Sequence, residues 1–115
     1  ATGDWNEDTT GTTVSGDTSA PSAPSGAAAT AGTGEITIDW TNPADSDFRK
    51  ARLYRHTSND SSGASVVDDV YGLPGQAGTY TDTVTTGATR YYWLKALDYS
   101  GNASAFSSGV SATAL

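Results

Sequence analysis

Few side chains in this sequence could do chemistry, and most of those are carboxylates. Thirteen Asp and Glu stand against six Lys and Arg, one His and no Cys. With no cysteine, thiol nucleophiles, disulfides and cysteine-bound zinc are excluded. The sole imidazole, His56, opens the small polar stretch HTSNDSSGAS at 56–65. A serine nucleophile needs a fixed base that a third group orients, and neither a second His nor a triad order is present. His56 therefore reads as a solvated loop residue. Acid pairs at Asp45 with Asp47 and at Asp68 with Asp69 have the residue types for glycoside hydrolysis. That reaction sets two carboxyls about 5 to 10 Å apart across a cleft that raises the pKa of one of them. A small strand-built domain supplies no deep cleft, so these acids read as solubilising surface charge. No catalytic residue, and no cofactor, is expected.

Two weaker constellations remain. Asn42, Asp45 and Asp47 in NPADSD, residues 42–47, bring oxygen ligands into one turn, with Asp60 a further candidate from the following loop. Calcium takes six to eight such ligands, and the Gly and terminal Glu of an EF-hand loop are missing. Asn and Asp that bond their own backbone are the plainer reading, and no bound metal is expected. Tyr91 and Trp93 share a face if Tyr92 and Leu94 point inward. Together with Tyr54 they would form an aromatic platform of the kind that stacks on sugar rings. The plainer alternative is cross-strand packing on an exposed sheet.

These residues need elements to hold them. A chain of 115 residues has room for one domain with a modest core. Gly, Thr, Ser and Ala are abundant while Leu, Met and Lys are scarce, a bias toward strands and turns. A net charge of −7 argues against nucleic acid and anionic membrane as partners. No apolar run approaches the roughly 20 residues of a membrane span. No signal-peptide pattern opens the chain, and its polar start reads as the beginning of a piece of a longer protein. Residues 1–20 lack any apolar period and are expected to be a flexible acidic linker, with Trp5 an exposed aromatic within it.

Pro21 and Pro24 close that segment and suit an edge strand. Beyond them the period is 2. Residues 35–40, EITIDW, put Ile36, Ile38 and Trp40 on one face, and residues 48–55 put Ala51 and Leu53 inward with Arg52 and Tyr54 outward. Further strands are expected at 65–71, at 78–84 with Tyr80 and Val84 on one face, and at 90–98. A tight turn at 100–102 leads to a last strand whose inward residues are Phe106, Val110 and Ala112. Six or seven short strands without a helical period predict an all-β sandwich or small barrel.

APSAPSGAAATAG, GEITIDWTNPADSDF, ARLYR, YTDTV and RYYWLKALDYSGNAS together resemble a fibronectin type III domain of the bacterial and phage type, over about residues 20–115. The resemblance implies an immunoglobulin-like sandwich of about seven antiparallel strands. It further implies a non-catalytic spacer or host-recognition module of a phage tail or cell-surface protein, in a virion or extracellular setting. Implied partners are neighbouring domains of a larger chain and a host surface protein or glycan. Related modules also accompany catalytic domains in secreted bacterial hydrolases, which makes a carbohydrate-binding accessory module the alternative. Where the family has a corner Tyr at the start of its sixth strand, the register puts Arg90, with Tyr91 and Tyr92 following. Either that corner is held differently, by an ion pair from Arg90, or the register shifts by one. The turn Ser100–Gly101–Asn102 lacks the Arg-Gly-Asp tripeptide, so integrin binding is not implied.

Overall fold

The structure, a computed structural model, describes residues 19–115. The linker reading of residues 1–18, Trp5 included, lies outside the described residues. Ser19 and Ala20 are exposed coil, while Pro21 and Pro24 are already buried.

Seven strands follow: β1 Ser25–Gly32, β2 Glu35–Thr41, β3 Phe48–His56, β4 Ser65–Tyr71, β5 Ala77–Thr83, β6 Thr89–Asp98 and β7 Val110–Thr113, with one 3-10 turn at Ser61–Gly63. They form two antiparallel sheets, three strands in the order β1-β2-β5 and four in the order β4-β3-β6-β7. All-antiparallel strands in two facing sheets are the expected sandwich, and the expected β2, β3, β4, β5 and β6 fall within a residue or so of their predicted bounds.

Alternation explains the faces. On β2, Ile36, Ile38 and Trp40 are buried while Glu35, Asp39 and Thr41 are exposed. On the other sheet β3 turns Phe48, Ala51 and Leu53 inward, and β6 turns Tyr92, Leu94 and Ala96 inward to meet them. Leu53 lies opposite Leu94, and Ala51 opposite Ala96, so large and small layers alternate along the β3–β6 pair. Trp40 lies opposite Gly78, and a Cβ built on Gly78 would come within 2.3 Å of the indole ring. That glycine is there for space. The first strand contributes only alanines to the interior side, Ala27 and Ala29 packing against the core.

The last strand differs from expectation. Val110–Thr113 forms the ladder with β6, while residues 103–109 run beside it as an irregular edge bridged once, at Leu97 and Ala103. Val110 and Ala112 pack against the core as expected, whereas Phe106 does not. Its ring meets outward-facing Tyr54 edge-on, with centroids 4.9 Å apart. The reason is local pairing: Ser104 and Ser107 are the buried residues of this edge. Their hydroxyls accept from the Ala96 and Leu94 amides at 2.8 and 2.9 Å, where a regular strand would offer carbonyls. Phe106 is thereby turned to the outer face.

Candidate functional site

The outer face of the four-stranded sheet carries the aromatics singled out by sequence. Tyr54 and Tyr91 are half-buried there. Trp93 shares their face yet is only 6% exposed. Its covering is visible in Gly109, where a Cβ would come within 2.6 Å of the indole Nε1. Lys95 sits 4.4 Å from the Phe106 ring centroid and 5.9 Å from that of Tyr54, so one ammonium faces both rings, Phe106 the more closely. The structure thus brings Tyr54 together with Phe106 and Lys95, and sets Trp93 beneath a strand edge.

A second aromatic group, which sequence reasoning missed, lies at the opposite end of β3. Tyr71 and Tyr99 are 60% and 71% exposed, and the Arg49 guanidinium stands 5.4 and 5.6 Å from their ring centroids. Tyr99 is presented by the β6–β7 connection, which buried Asp98 shapes. Asp98 Oδ1 accepts from the Ser100 and Asn102 amides at 2.9 and 2.8 Å, and Oδ2 accepts from Asn102 Nδ2 at 3.0 Å. Gly101, at φ +87°, completes the turn in a conformation other residues avoid. The tyrosines stand far apart in sequence, and only the end position of their strands signals the pairing.

Of the three candidate metal ligands, two have fold contacts of their own. Asn42 is buried, its Oδ1 accepting from Trp40 Nε1 at 2.9 Å and its Nδ2 donating to the Leu73 carbonyl at 3.1 Å. Both ends of that amide are committed to the fold. Asp45 Oδ1 accepts from the Ser22 amide at 3.3 Å, tying the incoming chain to this turn. Among the described residues no three His, Asp or Glu side chains group as a metal site requires. Asp60 caps the 3-10 turn through the Ser62 amide and hydroxyl, and those bonds hold its carboxyl below the usual range.

Asp69 has the wrong electrostatics for proton transfer. Arg52 Nε, Arg52 Nη2 and Lys50 Nζ donate to Asp69 at 2.8, 3.2 and 3.0 Å. Hydrogen bonds from Arg52, then Lys50, pull the Asp69 pKa down to about 2 against the opposing effect of burial. A general acid needs the reverse shift.

The acid that alternation reading passed over is Asp82, 5% exposed on the inner side of β5. It accepts from Tyr92 Oη at 2.7 Å and from Arg55 Nη1 at 2.9 and 3.0 Å. The corner is therefore held by Tyr92 and Arg55 on a shared carboxylate. Arg90, expected to supply an ion pair, donates to the Thr89 carbonyl at 2.9 Å instead.

No protein-family model and no curated protein sequence matches the chain. Solved structures do. A β-1,2-glucanase from Parabacteroides distasonis aligns at 32% identity and a TM-score of 0.68 over 84% of this chain, which spans 13% of that enzyme. An Fn3-like protein from Clostridium thermocellum aligns at 22% identity and a TM-score of 0.64, covering 84% of this chain and 96% of that one. The FN1–FN3 domains of chicken CNTN1 align at 13% identity and a TM-score of 0.65, covering 83% and 33%. By its three-plus-four sheet order, its buried face and these neighbours, the chain is an immunoglobulin-like β-sandwich of the fibronectin type III type.

Proposed function

We propose that the chain is a non-catalytic spacer module, holding its neighbours in a larger secreted carbohydrate-active protein at a fixed distance and orientation. The observation that carries this is the path of the chain. Ser22, just before β1, is tied to Asp45 at one end of the sandwich. Leu115 is tied to Gly32 and Gly34 at the other end, its amide donating to the Gly32 carbonyl and its carbonyl accepting from the Gly34 amide, each at 2.9 Å. Between these anchors lies the length of β1, 8 residues or about 26 Å of extended strand. Chain entering at one end and leaving at the other makes a strut. The likeness to a segment of the glucanase supports the carbohydrate-active setting. A phage-tail or host-recognition parent would use the same strut, with weak contacts added up over many copies.

The test is a fusion of the chain between two fluorescent proteins, compared with a Gly/Ser linker of equal length. A strut gives one energy-transfer efficiency that salt and viscosity leave unchanged. An efficiency tracking that of the flexible linker removes the reading.

A second reading, sugar binding on aromatic rings, is favoured by Tyr71 and Tyr99 flanking Arg49 in the open. Tyr54 and Tyr91 are the further candidates, and Trp93 would need the 103–109 edge to lift. Loss of glycan retention in affinity electrophoresis on Tyr99→Ala, with no change on Tyr54→Ala, would place the platform at the Arg49 end.

A further inference from the structure

All six lysines and arginines of this acidic chain stand on two adjacent strands, Arg49, Lys50, Arg52 and Arg55 on β3 and Arg90 and Lys95 on β6. Most have evident employment within the fold. Lys50 and Arg52 hold Asp69, Arg49 lies between two tyrosines, and Lys95 sits on Phe106. Arg55 holds Asp82, and it meets Arg90, which has no carboxylate partner among the described residues. Arg55 and Arg90 line a cleft of about 330 Å³ at the end of the sandwich, together with His56, Thr57, Gly63 and Ser65.

Arg55, Arg90 and His56 each bring a donor to this cleft. Both bonds from Arg55 to Asp82 come from Nη1, which leaves the N–H groups of Nε and Nη2 for another acceptor. Arg90 engages a backbone carbonyl through Nη1 alone, and among the described residues no carboxylate neutralises it. The Ser58 amide donates to His56 Nδ1 at 2.9 Å, so the neutral imidazole carries its proton on Nε2. Nε2 is the nitrogen that lies over Gly63, where a Cβ would approach it to 2.6 Å. Gly63 has no positive φ, so the backbone does not demand a glycine there. What a side chain at 63 would take away is the space beside Nε2. The hydroxyls of Thr57 and Ser65 complete the lining. Two carboxylates stand nearby: buried Asp82 is bonded to Arg55, and Asp60, whose Oδ1 accepts from Ser62, has its Oδ2 3.6 Å from where a Gly63 Cβ would lie.

The geometry points to an oxyanion site: the Arg55–Arg90–His56 cleft takes a carboxylate or sulfate group, free or carried on an acidic sugar. Two guanidinium forks match two oxygens of such a group, and the imidazole Nε2–H supplies a further donor. The sugar-borne source rests on the carbohydrate setting proposed above, whereas the oxyanion chemistry does not.

The test is a titration of isotope-labelled chain at constant ionic strength, chloride being replaced by sulfate, by galacturonate or by an oligogalacturonate. The expected result is saturable movement of the Gly63 and Ser65 amides and the Arg90 Nε–H, with Lys95 and Arg49 unmoved. Arg90→Gln weakens binding by about tenfold, as loss of one charge-assisted contact predicts. Arg90→Lys restores only part of it, because an ammonium lacks the fork. Among the described residues Arg90→Gln disturbs no ion pair, so an unchanged melting curve separates lost binding from lost fold. Oligomers binding more tightly than sulfate assign the site to an acidic polysaccharide. Sulfate binding with no gain for oligomers keeps the oxyanion site and withdraws the sugar source alone. Absence of saturable shifts at Gly63 and Ser65 for every anion, or equal binding by Arg90→Gln, overturns the site.

Discussion

Tyr92 on β6 donates a 2.7 Å hydrogen bond to Asp82 on β5, joining the two sheets through the middle of the sandwich. Both residues are buried, and Arg55 on β3 balances the carboxylate from the same side as Tyr92. A buried acid is costly unless paired and hydrogen-bonded, and here it is both.

Replacing Tyr92 by Phe keeps the ring and removes the donor. The expected loss is about 1.5 to 3 kcal/mol, the usual worth of a hydrogen bond to a charged group, read from the denaturant midpoint at unchanged slope. Burial, and then the bond to Asp82, hold the Tyr92 hydroxyl well above the ordinary tyrosine range. The folded state therefore keeps this proton more tightly than the unfolded chain does. Its contribution is complete below the unfolded pKa of about 10 and fades as pH rises beyond it. Tyr92→Phe should flatten that alkaline decline.

Asp69 gives the opposite pH signature. Its folded pKa near 2 lies below the unfolded value of 3.8. Stability from this group is present above the unfolded pKa and is lost as pH falls toward 2. Partial exposure screens the pairs with Arg52 and Lys50, so Asp69→Asn should cost about 1 kcal/mol at neutral pH. The difference from wild type should close in acid, which melts from pH 7 to pH 2 will show.

The Leu94 amide depends on Ser107 and the Ala96 amide on Ser104 for an acceptor. Ser107→Ala leaves a buried N–H unsatisfied, at about 1 to 3 kcal/mol. Hydrogen exchange at Leu94 should accelerate while Leu53, on the neighbouring strand, keeps its protection.

Calcium should leave the melting temperature where EDTA leaves it. Asn42 Oδ1 already accepts from Trp40 and its amide is held in place by Leu73, which leaves the turn at 42–47 short of the six to eight oxygens calcium takes. A calcium-dependent rise would contradict this, because a ligand of the folded state alone must raise it.

Much of the fold was legible because period-2 alternation writes buried faces directly into β2, β3 and β6. What escaped did so for physical reasons. In β1 the inward residues are alanines, which carry little apolar contrast. Residues 103–109 alternate plausibly, yet serine hydroxyls take over the ladder and rotate Phe106 outward. Asp82 sits in register with Tyr80 and Val84 on the inward face, but acids are so seldom buried that alternation passes over them. The cleft at Arg55 and Arg90 joins residues 35 positions apart, a proximity that only the β3–β6 register reveals.

A strut requires a rigid path from one end of the sandwich to the other. The chain has no cysteine, so Ser22→Cys with Leu115→Cys gives two clean spin-label sites. Double electron–electron resonance should return one narrow distance distribution centred beyond about 25 Å, the span of the first strand. A broad distribution, or a short distance that sets both anchors at one end, would contradict the strut.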